Sequence, residues 1–131
     1  MAKGRRDYTW GFQSETGSGS RSTESFVKYG YDNVPYATLI YLITYTVPEG
    51  KRLAVNRVIF SSDSWDTHHG YIYTGSTLCI HIKFSGTDTV VFSDQNPFYI
   101  TAGQTLKIGV VSNDEETYTF FANAIGVLET L

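Results

Sequence analysis

Residues 36–60, YATLIYLITYTVPEGKRLAVNRVIF, constrain the fold most. Two runs rich in β-branched and aromatic residues meet at a Pro-Glu-Gly-Lys turn, and no helical period runs through either. Side chains in a strand alternate with period two, so Leu39, Tyr41, Ile43, Tyr45 and Val47 are expected on one face. Ile40 and Leu42 point the other way, which predicts a strand covered on both sides. Pro48 presets φ and Gly50 tolerates positive φ, the needs of a tight connection. Leu53 and Val55 then resume the alternation. The stretch reads as the central β-hairpin of a sandwich.

The rest of the chain repeats this pattern. Residues 77–84, TLCIHIKF, alternate Leu78, Ile80, Ile82 and Phe84 against Cys79, His81 and Lys83, a half-buried antiparallel strand. Further strands are predicted in TVVFSD (89–94), on either side of Ala102-Gly103, and in TYTFFANAIGVLETL (117–131). Nowhere does a capping signal precede a 3.6-residue apolar period, so no helix longer than a turn or two is expected. Val47-x-x-Gly50-x-x-Leu53-x-Val55 is echoed by Ile100-x-x-Gly103-x-x-Leu106-x-Ile108, which suggests equivalent corners in two sheets. The fold class is all-β: an antiparallel β-sandwich, jelly-roll or immunoglobulin-like, of roughly eight strands. Its expected core holds Leu53, Val55, Leu78, Ile80, Ile82, Leu106, Ile108 and Val110.

Residues 1–35 read as an extended N-terminal arm, and residues 36–131 as the sandwich domain. SETGSGSRSTES (14–25) is too small and polar to order itself, so it is a tether. Tyr8, Trp10 and Phe12 alternate on one side of a short strand ahead of it. The 131 residues carry a net charge of −3, unevenly placed. Residues 1–28 hold five basic and three acidic side chains, the remainder five basic and ten acidic. A basic arm on an acidic body disfavours nucleic-acid binding by the body and suits docking on a neighbouring copy. Arg5 and Arg6 would meet acidic surface while Tyr8, Trp10 and Phe12 fill pockets along an unpaired sheet edge. Deleting residues 1–25 is expected to leave a folded domain that assembles poorly.

One cysteine forbids an intrachain disulfide. No apolar run reaches the roughly 20 residues that span a bilayer, and the basic N-terminus lacks the apolar stretch of a secretory signal. Synthesis in a cytoplasm is expected. Asp63, Asp66, His68 and His69 in the SSDSWDTHHG loop (61–70), with His81 nearby, are the candidate metal ligands. Adjacent histidines on a strand point to opposite faces and a spaced H-x-H pair is missing, so no metal or other cofactor is expected. No phosphate cradle or nucleophile elbow is present, and no enzyme is expected. Tyr29, Tyr31, Tyr36, Tyr71 and Tyr73 fall in or beside predicted loops, and Trp65 tips one. Such side chains suit subunit contacts first and sugar rings second, with Trp65, Tyr71 and Tyr73 as the surface or glycan contacts.

YTVPEGKRLAVNRVIFSS, the later NPFYITAGQTLKIGVVS and the closing FFANAIGVLETL resemble small β-sandwich virion proteins of tailed phages and related viruses. The resemblance runs from about residue 45 to the C-terminus and rests on turn glycines and apolar alternation. It implies a non-enzymatic head decoration or tail accessory protein located in the virion. Such a protein would be a homo-oligomer, a trimer as the first expectation, in contact with other virion proteins. It assigns no functional residues. The reading from a different class is a lectin-like carbohydrate-binding module.

Overall fold

The computed structural model describes residues 22–93 and 95–131. They form nine strands and no helix: β1 (Thr23–Val34), β2 (Leu39–Thr46), β3 (Lys51–Ser62), β4 (His68–Thr74), β5 (Thr77–Phe84), β6 (Thr87–Val91), β7 (Phe98–Thr101), β8 (Thr105–Val111) and β9 (Tyr118–Thr130). One sheet has the order β1-β9-β3-β6, with β7 also on β3; the other has the order β2-β8-β4-β5. All ladders between strands are antiparallel.

The partners reveal how the chain is wound. Thr23 faces Glu129, Leu39 faces Val111, Arg52 faces Thr101, and His68 faces Phe84. The molecule is therefore one long antiparallel ribbon with its tip at the β4–β5 turn, where Gly75 takes φ 62°. The ribbon folds back and forth between two layers, and β9 against β3 and β8 against β4 close the sheets. That is jelly-roll winding, and it selects between the two sandwich types expected.

The winding corrects one expectation. β2 and β3 do not form a hairpin: they lie in different sheets, and Pro48-Glu49-Gly50 carries the chain across the sandwich. The echoed turn at Ala102-Gly103 crosses back beside it, with Gly103 N–H donating to the Val47 carbonyl and Val47 N–H to the Gln104 carbonyl, both at 2.9 Å. Gly50 and Gly103 take φ of 79° and 83°, conformations that a side chain would strain. The repeated sequence thus encodes two adjacent corners rather than two hairpins.

Between the sheets lies a core containing Val34, Ile43, Val47, Leu53, Val55, Val58, Phe60, Ile72, Phe84, Ile100, Leu106, Ile108, Val110 and Phe120. Of the expected core, Leu53, Val55, Leu106, Ile108 and Val110 are buried, and Ile80 and Ile82 pack against it partly exposed. Leu78 is exposed. A register shift between Ile72 and Tyr73 sets Ile72 opposite Ile80 but Tyr73 opposite Leu78, and the extra residue turns the start of β5 away from the core. A second shift, between Tyr41 and Ile43, splits the face expected for β2. Leu39 and Tyr41 lie outside, whereas Ile43 and Val47 lie inside.

The boundary drawn after residue 35 also moves. β1 pairs with β9 from Thr23 to Val34, and Phe26 and Val34 are buried, so residues 23–34 belong to the sandwich. The aromatic triplet Tyr8, Trp10 and Phe12, together with Arg5 and Arg6, lies outside the described residues.

Candidate interaction surfaces

Both sheets bury one face, which leaves two outer faces for contact. On β9 the even-numbered residues Phe120, Ala122, Ala124 and Leu128 are buried, so Phe121, Asn123, Ile125 and Val127 face outward. Register then sets three rows across the first sheet: Val27–Ile125–Arg57–Val91, Tyr29–Asn123–Ile59–Thr89 and Tyr31–Phe121–Ser61–Thr87. Val27, Tyr31 and Val91 are 66%, 65% and 69% exposed. Tyr29, Tyr31 and Phe121 form a ring cluster with centroids 5.8–6.4 Å apart. Of these twelve side chains Arg57 alone is charged. The face is nearly uncharged, with Asn123, Ser61, Thr87 and Thr89 as its neutral polar members.

The second sheet's outer face is wetter. One row runs Tyr41–Gly109–Tyr71–His81 and a second Leu39–Val111–His69–Lys83. Gly109 leaves room at the centre: a Cβ there would stand 2.9 Å from Leu39 Cδ1 and 3.2 Å from Tyr41 Cδ1. Tyr73 joins Tyr41 edge-on at 5.7 Å and lies 6.2 Å from Tyr71, while the Lys107 ammonium sits 5.2 Å from the Tyr41 ring centre. Tyr71 stacks flat on His81, 4.7 Å apart and 8° from parallel. His69 Nδ1 and His81 Nε2 share a hydrogen bond of 2.8 Å. Desolvation first, and then His81 and Lys83, push the His69 pKa below its ordinary value. Desolvation raises that of Tyr73, helped by Tyr41 and Tyr71.

The residues singled out in sequence separate here. Tyr71 and Tyr73 share the second face, and they lie within a strand rather than a loop, as do Tyr29 and Tyr31 on the first. Trp65 stands apart, in the β3–β4 crossing at one end of the sandwich. It is 86% exposed, lies over Gly86, and its carbonyl accepts a 2.9 Å hydrogen bond from Ser85 Oγ. It stacks on neither tyrosine. His68 and His69 do point to opposite faces. His68 is fully buried against Phe84 and Phe120, with Nδ1 accepting the Asn113 N–H at 3.1 Å. Among the described residues no three His, Cys, Asp or Glu side chains converge as metal ligands. The outward positions of Val27, Phe121, Ile125 and Val91 are not evident from sequence, although the apolar stretches FFANAIGVL, interrupted at Asn123, and TVVF are their signal.

No family model matches the chain, and no curated protein sequence matches it. A solved structure does share its fold: a protein from the study titled "Bacillus endospore appendages form a novel family of disulfide-linked pili". The two superpose with a TM-score of 0.52 at 11% identity, over 92% of this chain and 99% of that one. At that identity the likeness establishes a common β-sandwich architecture.

Proposed function

We propose that this chain is a non-enzymatic structural subunit that assembles with copies of itself, as a closed trimer decorating or completing a virion. One observation carries the self-assembly: the apolar outer face of the first sheet, built on Val27, Tyr29, Tyr31, Phe121, Ile125 and Val91. Contiguous apolar patches of this kind mark interaction sites. With a whole aromatic side chain carrying about 150–250 Å², the face offers on the order of 500 Å². A standard interface takes roughly 800 Å² per partner, so the face supplies most of a stable contact, not all of it. The N-terminal arm makes up the difference. It joins the body at Ser22, beside β1, the outer strand of the first sheet among the described residues, and a tether of a dozen residues would reach about 20 Å. Tyr8, Trp10 and Phe12 would add a strand to a neighbour's edge, with Arg5 and Arg6 on its acids.

The fold neighbour supports a structural role, since it comes from an assembled appendage. A polymer held together by disulfides alone does not fit this chain. Its single cysteine, Cys79, is exposed, and one thiol per chain joins at most two copies. A glycan-binding reading is favoured by one feature, the row of Tyr41, Tyr71 and Tyr73 on the second face.

Mass measurement in solution tests the proposal. The full chain is expected to run as a trimer, and Val27→Asp/Tyr31→Asp as a monomer with unchanged circular dichroism. Because β1 starts at Thr23, the arm deletion is cut at residue 21 and should weaken the trimer without unfolding it. A monomeric full chain refutes self-assembly, and open-ended polymers replace the ring by a filament. Glycan binding lost in Tyr71→Ala, without self-association, transfers the function to the second face.

A further inference from the structure

The histidine pair on the second face has a use independent of assembly. We infer that His69 and His81 form a two-histidine site for a divalent transition-metal ion, copper(II) foremost by the general affinity order of such ions. The ligand atoms are already together: His69 Nδ1 and His81 Nε2 are 2.8 Å apart. Imidazole nitrogens bind such ions at about 2.0–2.1 Å. Two of them in cis positions of a square-planar or tetragonal complex therefore stand about 2.9 Å apart, and in a tetrahedral one about 3.3 Å. The 2.8 Å separation is that of the hydrogen bond itself, with the two rings nearly in line and their centroids 5.0 Å apart, so a small turn of the rings off that line is needed to aim both lone pairs at a shared ion.

The frame that holds the rings is rigid where it matters. His69 lies opposite Lys83 and His81 opposite Tyr71 in the β4–β5 ladder, so the two histidines are diagonal neighbours on adjacent strands. The flat stack of Tyr71 on His81 limits rotation of that ring. Both histidines are exposed enough for an ion and its waters to enter, since β5 is the edge strand of its sheet.

The protonation chemistry closes without loss of a proton. In the hydrogen-bonded pair one of the two facing nitrogens carries hydrogen. On metal binding that hydrogen moves to the far nitrogen of its own ring, leaving two neutral imidazoles with lone pairs toward the ion and one N–H each facing away. Metal binding takes both rings in their neutral form, so binding should weaken as the pH falls. With no third His, Cys, Asp or Glu joining the pair among the described residues, water fills the remaining positions, and affinity is that of a chelating pair rather than a closed structural site.

The test uses the full chain titrated with nickel(II) or copper(II) chloride alone, followed by calorimetry, thermal melting and, for copper, electron paramagnetic resonance. One ion per chain is expected, with nitrogen couplings from two imidazoles and a rise in Tm that grows with metal concentration. His69→Ala and His81→Ala should each lose the site while keeping the β-type circular dichroism. Cys79→Ser should retain it, and His81→Gln, which preserves a hydrogen-bonding side chain, should not. Binding that survives in His69→Ala/His81→Ala, a copper spectrum without two nitrogen ligands, or a Tm unmoved by metal would each overturn the inference. Zinc(II) bound more tightly than copper(II) would overturn the inferred order of ions.

Discussion

Lowering the pH from 7 to 5.5 should destabilise this fold through one buried side chain, His68. Its ring is fully buried, its Nδ1 lone pair accepts the Asn113 N–H, and its Nε2 has no hydrogen-bond partner. Protonation would set an N–H on Nδ1 against the N–H of Asn113 and bring a charge between Phe84 and Phe120. Desolvation therefore holds the His68 pKa below its ordinary 6.5, outweighing the opposing pull of the Ser64 carbonyl and of Asp66 and Asp114. The sign follows from proton counting. Below pH 6.5 the unfolded chain takes up a proton on this histidine that the folded chain refuses, so stability is fully present above that pH and falls as pH drops. The loss between pH 7 and 5.5 is at most about 1.3 kcal/mol, the limit for a ring that takes up no proton when folded, or up to roughly 5 °C in Tm for a domain of this size.

Urea unfolding of wild type and His68→Phe at several pH values measures it. The variant forfeits the acceptor for Asn113 N–H and should lose about 1–3 kcal/mol at pH 7. Its stability should depend less steeply on pH, so that the two curves converge on acidification. Every other titrating side chain is common to both proteins and cancels in the difference. The low pKa of Asp114, held down by the Glu116 N–H and the Ser64 hydroxyl, acts only at more acid pH. Parallel curves would refute the reasoning.

Four substitutions and the removal of one exposed ion pair probe the packing that positions the two faces. A methyl at Gly70 would stand 2.9–3.0 Å from the Phe60 ring, itself stacked on Phe84 at 5.4 Å. Gly70→Ala should cost about 1–3 kcal/mol in chemical denaturation, and Gly126→Ala more, because its Cβ would meet the Ala54 carbonyl of the central strand β3. Ala37 has φ of 55° at the β1–β2 crossing, so Ala37→Gly should raise stability by up to about 1 kcal/mol. Arg52 pairs with Glu129 at 2.7 Å and covers the Tyr99 ring at 4.1 Å. Arg52→Ala should cost about 1–2 kcal/mol, whereas removing the exposed Lys51–Glu24 pair should change stability by less than about 0.5 kcal/mol.

Alternation and turn glycines made the strands legible, because both are local and each strand carries its own copy. What local pattern could not carry was pairing. Pro48-Glu49-Gly50 suits a hairpin turn and a crossing between layers equally well, and only the partner of β2, which is β8, decides between them. The two register shifts lie beyond the pattern for a related reason. One extra residue at Leu42 or Cys79 reverses every later side chain, and neither residue type announces it. That is why simple alternation places Leu78 inward and Leu39 on the face of Ile43, against the observed arrangement. His69 and His81 were legible as outward residues, but their contact depends on the β4–β5 register. The apolar face was hidden in plain composition: β9 is apolar at both parities, and a strand of that kind reads as doubly buried until its sheet proves to be the outermost layer.

The contrast between the two outer faces has a consequence for any assembly. A jelly roll buries the inner sides of both sheets and leaves each outer side to the sequence. Here one outer side carries Val27, Tyr29, Tyr31, Phe121, Ile125 and Val91, while the other carries Lys83, Lys107 and the paired histidines. Burying the first removes apolar surface from water and desolvates one charge, that of Arg57. Burying the second would strip water from two ammonium groups, which costs several kcal/mol per ion unless partners replace it. Copies of the chain should therefore meet through the first sheet and keep the second toward solvent. The histidine pair then remains open in the assembled state, so metal binding and self-association should be independent. Val27→Asp/Tyr31→Asp should bind nickel as the wild type does, and metal should leave the mass of the assembly unchanged.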